Sequence, residues 1–252
     1  MRKIILSGCC GHMGRVVADI CASDPDVEIS AGIDLLAQPM EGFPVFPTPA
    51  ACGVEGDVLI DFSHPAALEG LLEFCEARKL PAVLATTGYS EEQLAKIDEA
   101  AKAIPVFRSA NMSIGINVLL ELVKRAAALL GEGFDVEITE RHHRRKLDAP
   151  SGTALMLADA ASAALPYEAE YVCDRSGVRK PRDSREIGIS SLRGGTIVGD
   201  HSVVFAGRDE VIEFSHHAAS REVFAVGAVR AAKFLSGVGA PGLYDMSCLI
   251  NG

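Results

Sequence analysis

The segment Lys3-Ile4-Ile5-Leu6-Ser7-Gly8-Cys9-Cys10-Gly11-His12-Met13-Gly14 sets the architecture of the chain. Lys3 to Ser7 reads as a strand, and Val16, Val17, Ile20 and Cys21 recur at helical spacing after Gly14, so the glycines stand in a strand-to-helix turn. Glycine there lets backbone N–H groups approach a pyrophosphate, and the start of the next helix adds favourable electrostatics. The spacing is GxxGxxG rather than the commoner GxGxxG, so its place between strand and helix carries most of the weight.

Working outward, Val27 to Ile33 reads as the second strand, and Asp34 follows it directly, 20 residues after Gly14. A strand-end acid at that distance accepts hydrogen bonds from a ribose. The bland alternative is a tight turn and a solvated loop acid; turn, helix and acid together favour dinucleotide binding. Leu35 stands where a basic residue would favour a 2′-phosphate, which leans towards NADH over NADPH, although His12 or Arg15 could still add positive potential.

Val58 to Phe62, Ala82 to Ala85 and Val106 to Phe107 read as further strands, with a helix after Pro65 carrying Leu68, Leu71, Leu72 and Cys75. This alternation over the first ~110 residues is the pattern of parallel strands joined by crossover helices. Beyond it a long apolar helix, Ile114 to Leu130, leads to a strand from Phe134 to Glu140 and a change of character that reads as a second domain. His201 to Ala206 and Val211 to His216, joined through Gly207-Arg208-Asp209, read as a hairpin, and Arg221 to Leu235 as the last helix before a Gly/Pro segment and a short tail.

With 252 residues, 24 Lys+Arg, 34 Asp+Glu, a formal net charge of −10 and 48% hydrophobic content, the chain is expected to be an ordinary soluble protein. An acidic surface repels phosphate backbones, so nucleic acid is not an expected partner. Ile4-Ile5-Leu6 is too short for a signal-peptide core and no apolar stretch is long enough to span a bilayer, so no membrane is expected and the cytoplasm is the expected compartment. The cysteines form an odd set of seven without CxxC spacing, and most should be small buried hydrophobes.

The most informative segment is Glu140-Arg141-His142-His143-Arg144-Arg145-Lys146-Leu147-Asp148-Ala149-Pro150-Ser151-Gly152-Thr153-Ala154-Leu155. Imidazoles at His142 and His143 exchange protons near neutral pH, and an ammonium at Lys146, whose pKa adjacent cations should lower, can donate a proton and attract carboxylate. Ala154, Leu155, Leu157, Ala158 and Ala161 have helical periodicity, which places Ser151-Gly152-Thr153 in a first turn whose N–H groups bind an anion. Taken alone, the charge run reads as an exposed strand end paired with Glu137 and Glu140, and the turn as a plain helix cap; their adjacency downstream of a dinucleotide turn favours a site for a small dicarboxylate. No metal is expected: His142-His143 and His216-His217 are adjacent pairs whose side chains diverge in extended structure. His216 reads as a packed or hydrogen-bonded strand residue and His201 as an exposed one.

With these residues in view, the sequence resembles the 4-hydroxy-tetrahydrodipicolinate reductase family along nearly its whole length. The resemblance is carried by HHxxKxDAPSGTA from His142 to Ala154 and supported by Asp61-Phe62-Ser63-His64-Pro65, Thr86-Thr87-Gly88, Asn111 to Asn117 and the Ser220-Arg221 region. It implies an α/β fold: a Rossmann-like parallel-sheet domain for the dinucleotide, residues 1–112 and 221–252, with an inserted mixed α/β domain, residues 113–220, that holds substrate and builds a homotetramer. It implies that His142 and Lys146 are catalytic and that His143, Ser151, Gly152, Thr153 and Arg221 contact substrate. Cofactor contacts would be Gly8, Cys9, Cys10, Gly11, His12, Met13, Asp34, Ala85, Thr86, Thr87, Ser109, Ala110, Asn111 and Met112. Cys10, Ala85, His64 and Leu35 depart from the usual pattern. The implied activity is NAD(P)H-dependent reduction of a cyclic dicarboxylate, with loss of water, on the route to diaminopimelate and lysine. Rival readings are another two-domain dehydrogenase, acting on a semialdehyde or a sugar, and a nucleotide sensor without catalysis.

Overall fold

The computed structural model describes residues 1–251. The chain begins with β1 (Arg2–Ser7), α1 (His12–Ala22), β2 (Val27–Ile33), β3 (Val45–Phe46), β4 (Val58–Asp61), α2 (Leu68–Arg78), β5 (Ala82–Leu84), α3 (Glu91–Ala100) and β6 (Pro105–Arg108). It continues through α4 (Ile114–Leu130), β7 (Asp135–His142), α5 (Gly152–Ser162), β8 (Glu170–Val172), β9 (Glu186–Arg193), β10 (Gly199–Ala206) and β11 (Val211–Ala218), then ends with α6 (Glu222–Leu235), β12 (Gly242–Tyr244) and α7 (Met246–Asn251). Two compact units result: Met1–Ile114 with the segment from Glu222 onward, and Gly115–Arg221.

In the first unit, seven strands lie in the order β12-β6-β5-β4-β1-β2-β3, every pair parallel. Strands such as Ile4-Ile5-Leu6 and Val58-Leu59-Ile60 are apolar at every position because both faces of the sheet are covered. Side chains alternate between those faces: Ile4, Leu6, Val58 and Ile60 join α1 and α6, while Ile5, Leu59, Ala82 and Leu84 join α2 and α3. The strand order reverses between β1 and β4. That is a topological switch point, and ligands of such sheets bind outside the carboxyl ends of the strands there.

The elements depart from the sequence expectations in places. Pro65 opens a short 3-10 turn whose N-cap, His64, accepts from Ala66 N–H through Nδ1 at 3.1 Å, and α2 starts only at Leu68. The Gly/Pro tail supplies a seventh strand, β12, against β6. Three residues are too few to show a period.

In the second unit, the order is β11-β10-β7-β9-β8; β7 and β11 run antiparallel to β10, while β7 and β8 run parallel to β9. Val136, Ile138, Ile187, Ile189, Val203 and Phe205 face a core completed by Ile116, Leu119, Val123 and Ala127 of α4 and by Ala154, Leu157, Ala158 and Ala161 of α5. Strand β7 runs past Glu140 to His142, so the cationic segment begins inside the sheet. Period-two alternation then carries the buried row Val136, Ile138 onward into Glu140 and His142.

Candidate functional site

The first unit presents the glycine turn at the switch point. Gly8 takes φ +76°, its N–H donates to Ile33 C=O at 2.8 Å, and a Cβ there would lie 2.6 Å from Phe62 O. A Cβ on Gly14 would stand 2.1 Å from Gly8 O, so both positions require glycine. Helix α1 starts at His12, inside the turn, and its N-cap Gly11 offers no side-chain acceptor to the first N–H groups. Asp34 reaches back to the turn: its Oδ2 accepts from Cys10 N–H and its Oδ1 from Leu36 N–H, each at 3.0 Å. A cradle that side chains would fill, an uncapped helix start and a strand-end carboxylate fit a dinucleotide pyrophosphate and ribose.

Gly8, Cys9 and Cys10 are buried, Gly11 and His12 exposed and Met13 half-buried. At the end of β4 the buried Asp61 accepts from Ser63 Oγ (2.6 Å) and Thr86 Oγ1 (2.7 Å), which fixes Thr86 beside the exposed Thr87 and after the buried Ala85. Ser109 donates through Oγ to Asn111 C=O at 2.9 Å, and Asn111 Oδ1 accepts from Ser113 N–H at 2.8 Å; Asn111 and Met112 are buried, Ala110 exposed.

In the second unit, Glu140 organises the site. Its side chain is fully buried and meets Arg193 through two 2.7 Å hydrogen bonds, His142 Nδ1 at 2.6 Å and Ser151 N–H at 3.1 Å. Burial by itself would raise the Glu140 carboxyl, but the Arg193 and His142 hydrogen bonds outweigh it and hold it at about 2. An ionised acceptor on Nδ1 fixes the His142 tautomer and leaves Nε2 for proton exchange. Gly199 makes room for that ring: a Cβ there would lie 3.0 Å from Nε2.

Ser151 is the N-cap of α5. Its Oγ accepts from Ala154 N–H at 3.2 Å and lies 3.1 Å from His201 Nε2. The expectation that His201 is exposed is wrong. It is 4% exposed, sits opposite Glu140 in the β7–β10 ladder, and packs edge-to-face on His142 with ring centroids 5.1 Å apart. Burial, and then the neighbouring His142, pushes its pKa down to about 4, so it stays neutral at physiological pH. His216, opposite His201 on β11, is half-buried with an Nδ1 that has no hydrogen-bond partner among the described residues.

A Cβ on Gly152 would meet nothing within 4 Å, so there is space beside the first residue of α5. Lys146 Nζ pairs with Asp148 Oδ1 at 2.9 Å. Lys146, and less strongly the Gly152 N–H, holds the Asp148 carboxyl below its ordinary range. His143 is held below its usual value first by desolvation and then by Arg221, whose guanidinium lies 3.5 Å from His143 Nε2, and by Arg145. The acids expected to neutralise the charge run are engaged elsewhere, Glu137 with Arg182 and Glu140 with Arg193. Among the described residues, Arg141, Arg144 and Arg145 have no ion-pair partner, which leaves a cationic rim.

His142, His143, Lys146, Ser151, Gly152, Thr153 and Arg221 therefore all belong to this unit; His142 and Ser151 share Glu140, His143 meets Arg221, and Lys146 pairs with Asp148. Arg193 is missing from the sequence reading, and His201 enters it only as an exposed residue. Arg193 is 53 positions from Glu140 and carries no local signal. His201 has one: it shares a face with Val203 and Phe205.

A parallel sheet in this order with a glycine turn and strand-end acid is the Rossmann-like architecture of NAD(P)H-binding oxidoreductases. The family model described as "Dihydrodipicolinate reductase, N-terminus" matches residues 2–112, and "Dihydrodipicolinate reductase, C-terminus" matches residues 115–250. The chain belongs to the dihydrodipicolinate reductase family. It is 53% identical over 251 residues to the 4-hydroxy-tetrahydrodipicolinate reductase of Caldanaerobacter subterraneus subsp. tengcongensis, covering 100% of this chain and 99% of that one. It is 49% identical over 252 residues to the enzyme of the same name from Clostridium botulinum, covering 100% and 99%. Among solved structures, a dipicolinate-bound dihydrodipicolinate reductase from Paenisporosarcina sp. TG-14 shares the fold with TM-score 0.82 at 23% identity, over 97% of each chain. A probable dehydrogenase from Thermotoga maritima does so with TM-score 0.63 at 14% identity, over 98% of this chain and 92% of that one.

Proposed function

We propose that the protein reduces 4-hydroxy-tetrahydrodipicolinate to tetrahydrodipicolinate with loss of water, on the route to diaminopimelate and lysine, using NADH in preference to NADPH. The observation that carries the chemistry is the buried Glu140–His142 pair bonded to the cap of α5, in a chain whose full-length relatives bear that activity's name.

The first unit binds the dinucleotide through Gly8 to Met13, Asp34, Ala85 to Thr87 and Ser109 to Met112. The nicotinamide, when bound, supplies a hydride. In the second unit the Gly152 and Thr153 N–H groups, Ser151 and Lys146 Nζ receive one ring carboxylate. His143, neutral and oriented by Arg221, and the Arg221 guanidinium receive the other. Negative charge that builds on the ring as it is reduced is neutralised by a proton from His142 Nε2 or from Lys146 Nζ, and Glu140 stabilises the imidazolium when His142 takes a proton up. Exposed Leu35 after Asp34 offers a 2′-phosphate no cation, which supports NADH.

The same proposal places the protein in the cytoplasm as a homotetramer assembled through the second unit. No helix among the described residues is long and apolar enough to cross a membrane. The test is NADH absorbance on adding enzymatically generated substrate, with Michaelis constants compared for both nucleotides and mass measured by light scattering. Lys146→Ala and His142→Ala should each reduce turnover strongly while NADH still binds. Folded protein that oxidises no NADH in response to substrate would overturn the reading.

A further inference from the structure

The sequence suggests no metal site, because the cysteines show no CxxC spacing and the histidine pairs diverge. Folding changes the company of Cys9 and Cys10. The Cys9 and Cys10 Sγ atoms lie 4.0 Å apart, and these two sulfurs and an Asp34 carboxylate oxygen all lie within 4.8 Å of one another. Tetrahedral zinc with Zn–S bonds of about 2.3 Å holds two sulfurs about 3.8 Å apart, so the thiols already stand near the spacing that one soft ion requires. The fold pins them there. A Cβ on Gly32 would lie 2.6 Å from Cys9 Sγ, Cys10 Sγ faces Gln38 C=O at 3.9 Å, and Cys10 N–H holds the carboxylate at 3.0 Å.

We propose that Cys9, Cys10 and Asp34 form a site for one soft divalent cation of the zinc and cadmium type, and that its occupation excludes the dinucleotide. Both thiols lose their protons to solvent as two metal–sulfur bonds form, the carboxylate adds a third ligand, and no electron is transferred. Exclusion follows because the metal takes the carboxylate assigned to the ribose and sits in the turn assigned to the pyrophosphate. The binding half stands on geometry alone, whereas the exclusion half rests on the proposed cofactor role of this turn.

The test titrates the full-length chain, fully reduced, with Cd2+ and follows the ultraviolet thiolate-to-cadmium charge-transfer band. One equivalent should bind, Cys173→Ser at the exposed thiol should leave the titration unchanged, and Cys9→Ala and Cys10→Ala should each weaken it by about 100-fold. Cys9→Ser and Cys10→Ser, which keep the side-chain size, repeat the measurement should an alanine variant fail to fold. Saturating NADH should raise the Cd2+ concentration needed by a factor of one plus the ratio of free NADH to its own Kd. A band that survives in both single-thiol variants, or disappears in Cys173→Ser, overturns the site. Simultaneous, independent binding of Cd2+ and NADH overturns the exclusion. NADH binding measured without metal tests the cofactor reading separately, and its failure would leave the metal site standing.

Discussion

Glu140 and Arg193 meet fork to fork across β7 and β9, with Nη1 2.7 Å from Oε2 and Nη2 2.7 Å from Oε1. A lone carboxylate could not stay ionised at that depth. Arg193 makes it possible, and the ionised Glu140 then holds His142 on one side and the cap of α5 on the other. One buried charge pair thus positions both the His142 imidazole and the start of α5.

Glu140→Gln should therefore damage catalysis and stability together. Both carboxylate oxygens accept from Arg193, so in either orientation an amide turns its NH2 group towards one guanidinium N–H, together with His142 or the Ser151 N–H, and the guanidinium charge is left uncompensated. Breaking one partner of a buried pair costs about 3–5 kcal/mol, a large share of a typical folding free energy. Turnover should fall by about 100-fold with a smaller change in KM, and the pH profile should move because the His142 tautomer is no longer fixed. Glu140→Asp, which keeps the charge, should recover part of both. Steady-state kinetics across pH and urea unfolding check this.

Acid should unfold the protein in two stages. His201 is depressed from 6.5 to about 4 in the fold, so the unfolded chain binds the extra proton first; its contribution is intact above about pH 6.5 and lost as pH falls towards 4. Glu140 is depressed from 4.5 to about 2, so its contribution is intact above about pH 4.5 and lost as pH falls towards 2. Each shift corresponds to about 3 kcal/mol when fully lost. His201→Asn keeps a polar group for Ser151 but cannot titrate. Between pH 7 and 5 the wild type should lose about 2 kcal/mol more than this variant in urea unfolding; equal losses would show that His201 does not titrate as its burial demands.

Much of this was legible in the sequence, and the gaps have physical causes. The apolar runs of β1, β4 and β5, the glycine turn and Asp34 were readable because each rests on local chemistry. Ser151 as the start of α5 was readable because a cap and helical periodicity are local too. The Glu140–Arg193 pair was not, since β9 reaches β7 by a pairing that no short-range pattern records. His201 was misplaced by treating histidine as a surface residue, although its alternation with Val203 and Phe205 points inward. Strand β12 escaped because the sheet edge, not its own three residues, makes it a strand.

Gly227 lies in α6 where a Cβ would stand 1.7 Å from Met112 O, a backbone atom that cannot turn aside. The neighbouring Ala225, Ala228, Ala231 and Ala232 are fully buried, so the helix depends on small residues for its close approach. Gly227→Ala should cost about 3 kcal/mol or more through overpacking. Gly177→Ala, where a Cβ meets nothing within 4 Å, should stay within about 0.5 kcal/mol of wild type. Thermal unfolding of the two variants side by side is the measurement.

Leu35 is 87% exposed immediately after Asp34, where a 2′-phosphate would be placed under the proposed cofactor reading. Leu35→Arg supplies the missing cation at an exposed position without disturbing the core. The ratio of kcat/KM for NADPH to that for NADH should rise by about tenfold, the equivalent of about 1.4 kcal/mol. An unchanged ratio would place the phosphate-side specificity in other residues, with Arg15 next to be varied.

Asp148 engages the donors that the proposed function assigns to a substrate carboxylate: Lys146 Nζ at 2.9 Å and, more weakly, the Gly152 N–H. Substrate must displace this internal carboxylate before it binds. Its side chain is 56% exposed, and pairs so placed are worth about 0–1 kcal/mol, so the competition is mild. Asp148→Asn removes the competing charge while keeping the side-chain shape. KM for the dicarboxylate should fall, by about five-fold at most, with kcat little changed. Added salt should narrow the gap between variant and wild type, because screening weakens the internal pair. A rise in KM would mean that Asp148 holds Lys146 in its productive position, so KM measured at low and high salt decides between a competitor and a support.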